Sequence, residues 1–357
     1  MTTTHTFRAP GRVNLIGGQV DYHEGWVVSL AIDRDVVVRA TERADGRVIA
    51  RSDDFDGDVD ISADGRDDPP ATTPEWGRTV AGVTRVLAEL GRAPVGVDLA
   101  ISSTVPVGAG LSSSAAFEVA CAKALTHVAG FALTGAELAR AAQRAEHVAT
   151  GVPCGIQDQM ASVLGRTDHA IFLDCRTLDV EHVRVPAELC VLVVHCGVPR
   201  ALEATPYAQR RAESESVASA LGLRVLRDAT FDQVRDIPRG RHAVSEMERV
   251  RAFADALRAG DRNALGPLML ASHASSRDDM EVSIPPLDTL VECLVAAGAY
   301  GARLTGAGFG GCVVAIGPAD EADEISAAAT ASYRAQTGLE PTAWRVRAAN
   351  GAGASEV

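Results

Sequence analysis

The stretch Gly108-Ala109-Gly110-Leu111-Ser112-Ser113-Ser114-Ala115-Ala116 limits the folds open to this chain more than any other. Before it, Val97–Ser103 alternates apolar and polar residues as a strand does. After it, Ser113 to Val128 is small, apolar and free of Gly and Pro, which permits a helix. Glycines without a Cβ let the loop backbone approach a ligand, and the helix that starts there aims unpaired N–H groups and a positive dipole end at the same place. Such an arrangement suits phosphate. The plain alternative is a tight turn capped by serine, but a cap needs one hydroxyl and three stand here in a row.

Cations are supplied almost wholly by arginine, because Lys123 is the only lysine. A Walker-type GxxxxGK[ST] loop therefore cannot be written. Three further segments carry polar residues in unusual company. Ala9-Pro10-Gly11 leads into Arg12-Val13-Asn14-Leu15-Ile16, then Gly17-Gly18 and the polar cluster Gln19-Val20-Asp21-Tyr22. That cluster suits hydroxyl recognition, although an ordinary strand and turn would read the same way. Pro153-Cys154-Gly155-Ile156-Gln157-Asp158 follows a helix containing Glu146, and Asp158 is either a helix-start residue or a base. Leu304-Thr305-Gly306-Ala307-Gly308-Phe309-Gly310-Gly311-Cys312 contains GxGxxG, but it runs on into the strand-like Val313-Val314-Ala315 instead of opening a helix. The dinucleotide reading is therefore rejected in favour of a loop packed backbone to backbone on a phosphate loop.

Strands and helices mix without a strict βαβ rhythm, which predicts an α+β protein. Val36 to Ser52 reads as a hairpin turning at Ala44-Asp45-Gly46, and Asp53 to Pro74 as an acidic surface loop. Thr134 with Glu137 forms a capping box, with Leu133 and Leu138 as staple, for a helix reaching Thr150 and stopped by Gly151 and Pro153. His169–Asp174 and Leu189–His195 have strand length, and Glu213–Leu221 and Ser245–Ala259 look like amphipathic helices. No internal repeat or low-complexity tract divides the chain. A boundary is placed near residue 188, giving domains 1–188 and 189–357, with a frayed tail from Asn350 to Val357.

The 34 basic against 47 acidic residues leave a formal charge of −13, which argues against nucleic-acid and membrane-surface partners. No stretch approaches the roughly 18 apolar residues of a membrane helix, and no signal sequence is visible. A cytoplasmic monomer is the expectation. The seven cysteines form no CxxC pair and read as reduced core thiols.

Taken in order, PGRVNLIG, VPVGAGLSSSAA, PCGIQDQ and LTGAGFGGC resemble the galactokinases, members of the galactokinase, homoserine kinase, mevalonate kinase and phosphomevalonate kinase superfamily. Ala170–Arg176, Tyr207 with Arg210-Arg211, and Arg277–Ser283 extend the resemblance, which spans residues 8 to 315. It implies a two-domain α+β fold, the N-terminal domain like the second domain of ribosomal protein S5 and the C-terminal domain ferredoxin-like. It also implies transfer of the ATP γ-phosphoryl group to the anomeric hydroxyl of an aldose. Asp158 would be the catalytic carboxylate and Arg12 its cationic partner. Ser114 and Glu146 would hold Mg²⁺. Gly108, Gly110, Ser112, Ser113 and Ser114 would cradle the phosphates, with Trp76 near the adenine unless it is simply a half-buried core residue. Asp21, Tyr22, Gly18, Gln19, Gly155 and Tyr207 would meet the sugar.

One departure bears on specificity. Galactokinases carry Glu-His where this chain has Gly18-Gln19, and those side chains face the hydroxymethyl end of the sugar. Galactose remains the first expectation. L-arabinose, which lacks that arm, is the alternative, and a C6-carboxylate or other substituted sugar stays open, although no added Arg or Lys in this segment favours an acid. A kinase for a non-sugar alcohol, or an inactive protein that senses sugar and ATP, completes the set.

Overall fold

The computed structural model describes residues 3–106, 108–199 and 205–354. In the first half of the chain, β1 (Thr4–Ile16) and β2 (Trp26–Arg43) form a long antiparallel pair, followed by β3 (Arg47–Ser52), β4 (Val59–Ser62), α1 (Gly77–Glu89) and β5 (Gly96–Ser103). Next come α2 (Ser113–Val128), α3 (Gly135–Thr150), α4 (Gln157–Leu164), β6 (His169–Asp174) and β7 (Val180–Arg184). β2 carries β5 along Val36–Arg43 and β6 along Trp26–Ser29, on the edge opposite β1.

The expected hairpin is not formed. β2 and β3 are joined by the predicted tight turn, but β5 lies between them, antiparallel to β2 and parallel to β3. Gly96 opens β5 at the mouth of that turn, where a Cβ would lie 2.9 Å from the Arg47 carbonyl oxygen and 3.0 Å from that of Arg43. A local alternation pattern cannot tell direct pairing from a gap one strand wide.

α2 begins and ends where the sequence places it, and Ala115, Ala116, Val119, Ala120, Ala122 and Ala124 are fully buried. Such small side chains let the helix sit close on the sheet. α3 starts at the Thr134–Glu137 capping box, both halves of which are made, and ends with Gly151 at φ 71°. Residues 53–74 carry β4 and a short 3₁₀ turn at Pro69–Ala71, and are otherwise irregular as expected.

The chain passes to a second sheet after β7. This half comprises β8 (Leu189–His195), α5 (Thr205–Ala220), α6 (Phe231–Val234), α7 (Pro238–Ala259), α8 (Arg262–Asp278), α9 (Pro285–Ala296), β9 (Gly301–Thr305), β10 (Cys312–Pro318), α10 (Ala322–Thr337) and β11 (Thr342–Val346). Its antiparallel strands run β11-β8-β10-β9. The sheet is buried on both faces, which explains the unbroken apolar run of β8: Val191 and Val193 face α7 and α8 in the large core, whereas Cys190, Leu192 and Val194 face α9 and α10. α5 and α7 start earlier than their apolar patterns suggest; α7 opens on Pro238, and Gly240, His242, Ala243 and Val244 of its early turns are buried.

The tail also departs from expectation. Gly353–Ala354 form β12, which pairs with Arg8 and Phe7 on β1, and the Asn350 side chain accepts from the Thr167 N–H. Residues 355–357 of that segment lie outside the described residues. Among the described residues, no helix is long and apolar enough to cross a membrane.

Gly96→Ala should destabilise the protein by about 1–3 kcal/mol through overpacking at the split between β2 and β3. A lower urea midpoint at unchanged m-value would show it; an unchanged midpoint would mean that β5 can shift away.

Candidate active site

Arg12 is delivered by an irregularity in β1. The β1–β2 register shifts between Pro10 and Arg12, and a Cβ on Gly11 would come within 2.7 Å of the Leu111 carbonyl oxygen. Glycine therefore lets β1 touch the serine loop, where the Arg12 N–H donates to the Leu111 carbonyl at 3.0 Å. The Arg12 side chain is buried, its Nη1 donating to the Gly110 carbonyl at 2.8 Å. Its other two nitrogens grip Asp158 bidentately, Nε to Oδ1 at 2.7 Å and Nη2 to Oδ2 at 2.6 Å. Asp158 lies in the first turn of α4, and Oδ2 also accepts the Ser112 hydroxyl at 2.6 Å. A carboxylate offers about four acceptor positions. Three are taken, leaving one on Oδ1.

The serine loop and the second glycine loop meet through bare backbone. Gly110 has φ 77° and Gly306 φ 82°, and a Cβ built on Gly306 would sit 3.5 Å from the Gly110 carbonyl oxygen. Only glycine reaches such angles without strain. Both residues line one cavity together with Arg12, Ser112, Ser114, Glu146 and Asp158, and with Gly18, Gln19, Asp21, Gly155 and Tyr207.

Asp21 stands in a 3₁₀ turn directly against Gly155, where a Cβ would fall 1.7 Å from its Oδ2. Burial, reinforced by the nearby Asp158 charge, raises the Asp21 carboxyl to about 6, although the Tyr22 N–H donates to it at 3.0 Å. Tyr207 of α5 closes this side of the cavity, edge-on to Tyr22 at 6.4 Å between centroids, and burial pushes its hydroxyl well above the ordinary tyrosine range. Gln19 adopts φ 62° and bridges the two halves, its Nε2 donating to the Ala307 carbonyl at 3.2 Å while Oε1 accepts the Tyr22 hydroxyl at 3.2 Å.

Glu146 reaches the cavity from α3. Its Oε2 accepts from the Gln159 amide at 3.0 Å and from the Cys154 thiol at 3.1 Å, while Oε1 has no hydrogen bond among the described residues. Burial raises the carboxyl of Glu146, and more strongly that of Glu118, which is 1% exposed and accepts from the same Gln159 amide. Hard oxygen donors at Glu146 and Ser114, with one carboxylate oxygen open to the cavity, fit a small divalent cation that keeps waters and shares a phosphate ligand.

Beneath Gly18 lies a buried ionic cluster that sequence reasoning missed. Glu246 of α7 accepts the Gly17 and Gly18 N–H groups at 2.9 and 3.3 Å through Oε1, which also takes the Ser272 hydroxyl at 2.6 Å. Its Oε2 accepts Arg249 Nε at 2.8 Å. Arg303 of β9 donates to Ser272 at 2.9 Å and to the Asn14 side chain at 3.2 Å, and its Nη2 lies 2.6 Å from where a Gly18 Cβ would be. An arginine therefore does stand at Gly18, from residues far away in the chain. A charged residue in the otherwise apolar Gly301–Leu304 run was the available signal.

Of the residues singled out from sequence, Trp76, Tyr22, Gly108 and Ser113 do not line the cavity. Tyr22 backs Gln19, with Arg211 over its ring at 5.0 Å. Trp76 stacks on Phe55 and meets Phe117 edge-on, one helical turn from Ser113. Cys154 is half-buried at the cavity wall, unlike the other six cysteines, which are buried; all seven are free thiols. Asn14, Gln157, Gly306 and Ala307 join the lining unforeseen.

Comparison with known proteins gives three family matches: the GHMP kinases N terminal domain over residues 78–166, the GHMP kinases C terminal domain over 253–335, and the galactokinase galactose-binding signature over 2–42. Among solved structures, the chain is similar to Lactococcus lactis galactokinase complexed with galactose, at 32% identity and TM-score 0.92, covering 98% of this chain and 95% of that one. Methanococcus jannaschii mevalonate kinase shares the fold at 18% identity and TM-score 0.71, with 98% and 99% covered. L. major mevalonate kinase in complex with R-mevalonate does so at 21% and 0.68, with 98% and 97% covered.

The raised Asp21 carboxyl predicts a pH-dependent cost to folding. Its folded value of about 6 exceeds the ordinary carboxyl value of 3.8, so the penalty is absent below about 4, grows as pH rises, and is complete above about 6. Asp21→Asn should thus raise stability by about 1–2 kcal/mol at pH 8 and by nothing measurable at pH 4. Melting curves at both pH values check this, and an equal gain at each would show that the carboxylate charge is not the cause.

Proposed function

The chain belongs to the galactokinase family of the GHMP kinases, and is thereby a sugar kinase; from this premise we propose that it transfers the γ-phosphoryl group of ATP to the anomeric hydroxyl of galactose. The observation that carries the reading is the Arg12–Asp158 pair, set where the serine loop, α4 and the hydroxyl-binding residues Asp21 and Tyr207 border one cavity.

Each residue acquires a role by its chemistry. The serine loop offers backbone N–H groups and the start of α2 to the phosphates. Asp21 accepts sugar hydroxyls, and the raised value of its free carboxyl means that sugar binding weakens as pH falls below about 6. The remaining acceptor position on Asp158 Oδ1 faces the attacking hydroxyl and receives its proton as the new P–O bond forms. Arg12 holds that carboxylate in one orientation and places a permanent cation beside the charge that spreads over the transferring oxygens. Ser114 and Glu146 would hold Mg²⁺, which when bound neutralises phosphate charge. Trp76, edge-on to Phe117 one turn along α2 from the loop, is suited to flank the adenine.

L-arabinose is the second reading, favoured by the missing side chain at Gly18. Inability to turn over any aldose would instead support a sensing role.

Asp158→Asn is expected to reduce kcat by at least about 10³-fold, while calorimetry still detects ATP binding. Turnover within a few-fold of wild type would remove Asp158 from the chemistry.

A further inference from the structure

The wall formed by Asn14, Gly18, Gln19 and Ala307 has an electrostatic character opposite to that expected from a glutamate at position 18. Behind it lie two arginines and one glutamate. Glu246 is fully committed, to Arg249 through one oxygen and to Gly17, Gly18 and Ser272 through the other. Arg303 Nη2 makes no hydrogen bond among the described residues, and Glu246 Oε1 is 3.9 Å away. His242 adds no compensating negative charge, since its Nε2 lies 3.0 Å from the Gly18 carbonyl oxygen and can only donate to it. One unit of positive charge is left over in a place from which water is excluded, because Arg303 is 1% exposed. An uncompensated buried charge is costly, and a carboxylate brought near would offset it. Arg303 adjoins Gly18 and donates to the Asn14 side chain, both of which line the cavity, and Gln19 Nε2 retains a second N–H beyond the one given to Ala307. The wall thus offers one N–H of Gln19 and positive potential.

Resting on the sugar-kinase reading above, we propose that this site also phosphorylates a galactose-configured uronic acid, an aldose whose terminal carbon is a carboxylate, with that carboxylate seated against Gly18 and Gln19. The reacting end is fixed by Asp158 and Arg12, so the acid group must sit at the opposite end of the sugar, where an aldose carries its terminal carbon. The chemistry is unchanged. The anomeric oxygen bonds to the γ-phosphorus, the bond from that phosphorus to the β,γ-bridging oxygen breaks, ADP leaves with the electron pair, and the hydroxyl proton passes to Asp158. The carboxylate takes no part beyond binding.

The test is ADP release with galactose, galacturonate and L-arabinose at fixed Mg-ATP, using the full-length protein. The expected kcat/KM for galacturonate is at least about one-tenth of that for galactose, since a cation-lined wall favours the acid and a glutamate-lined one rejects it. A smaller ratio, with galactose turned over, overturns the proposal and leaves the sugar-kinase reading standing. Absence of turnover with every aldose overturns both. Gly18→Glu turns a carboxylate onto Arg303 and should lower the galacturonate-to-galactose ratio by about tenfold or more. Gln19→Glu, which adds the same charge without entering the buried cluster, should lower it likewise, and serves if the first variant does not fold. An unchanged ratio in a folded variant counts against the role assigned to the cation.

Discussion

Three backbones approach one another more closely than side chains would allow, and the rest of the site depends on that contact. β1 reaches the serine loop through Gly11, and the serine loop reaches the second glycine loop through Gly110 and Gly306. With no Cβ between them, the guanidinium of Arg12 can use one nitrogen on the Gly110 carbonyl and two on Asp158. Loop position, arginine position and carboxylate orientation are therefore one geometric fact. Arg12 and Ser112 together fix the carboxylate plane before any ligand arrives, which is the preorganisation that phosphoryl transfer requires of a protein with few other means of lowering its barrier.

The surrounding architecture withdraws several polar groups from bulk water. Asp21, Glu146 and Glu118 are all pushed toward their neutral forms by burial, and Gln159 lies between the latter two with its own Oε1 buried and unpartnered. Such groups weaken the folded chain when nothing is bound. They also gain most when a cation or a set of hydroxyls arrives, so stability given up by the free protein returns as affinity.

Much of this was legible in the sequence wherever the determinants are local. The capping box at Thr134, the bounds of α2 and the four glycine- and serine-rich segments each depend on residues a few positions apart. The placement of Arg12 against Asp158 came from a resemblance, since no local rule links residues 146 positions apart. What escaped was pairing at a distance. The alternation of Val36 to Ser52 looks the same whether β2 and β3 pair directly or leave room for β5. Likewise, Gly18 looked remote from any cation because Arg303 and Glu246 reach it from β9 and α7. Trp76 and Tyr22 were recognisable as notable side chains, but that neither lines the cavity depends on packing that the pattern does not encode.

The strap formed by residues 350–354 ties the two ends of the chain together. It adds β12 to the outer edge of β1, and its Gly351 and Ala352 N–H groups donate to Gly165 and Ser162, at the far end of the helix that bears Asp158. During ribosomal synthesis, then, β1 emerges long before Gly353 and Ala354, which cover its outer edge. Arg12 and Asp158 can meet in the nascent chain, yet the scaffold that steadies both is completed only when residues 350–354 have followed. Substitutions within residues 350–354 would thus bear on the site more directly than their distance in sequence suggests.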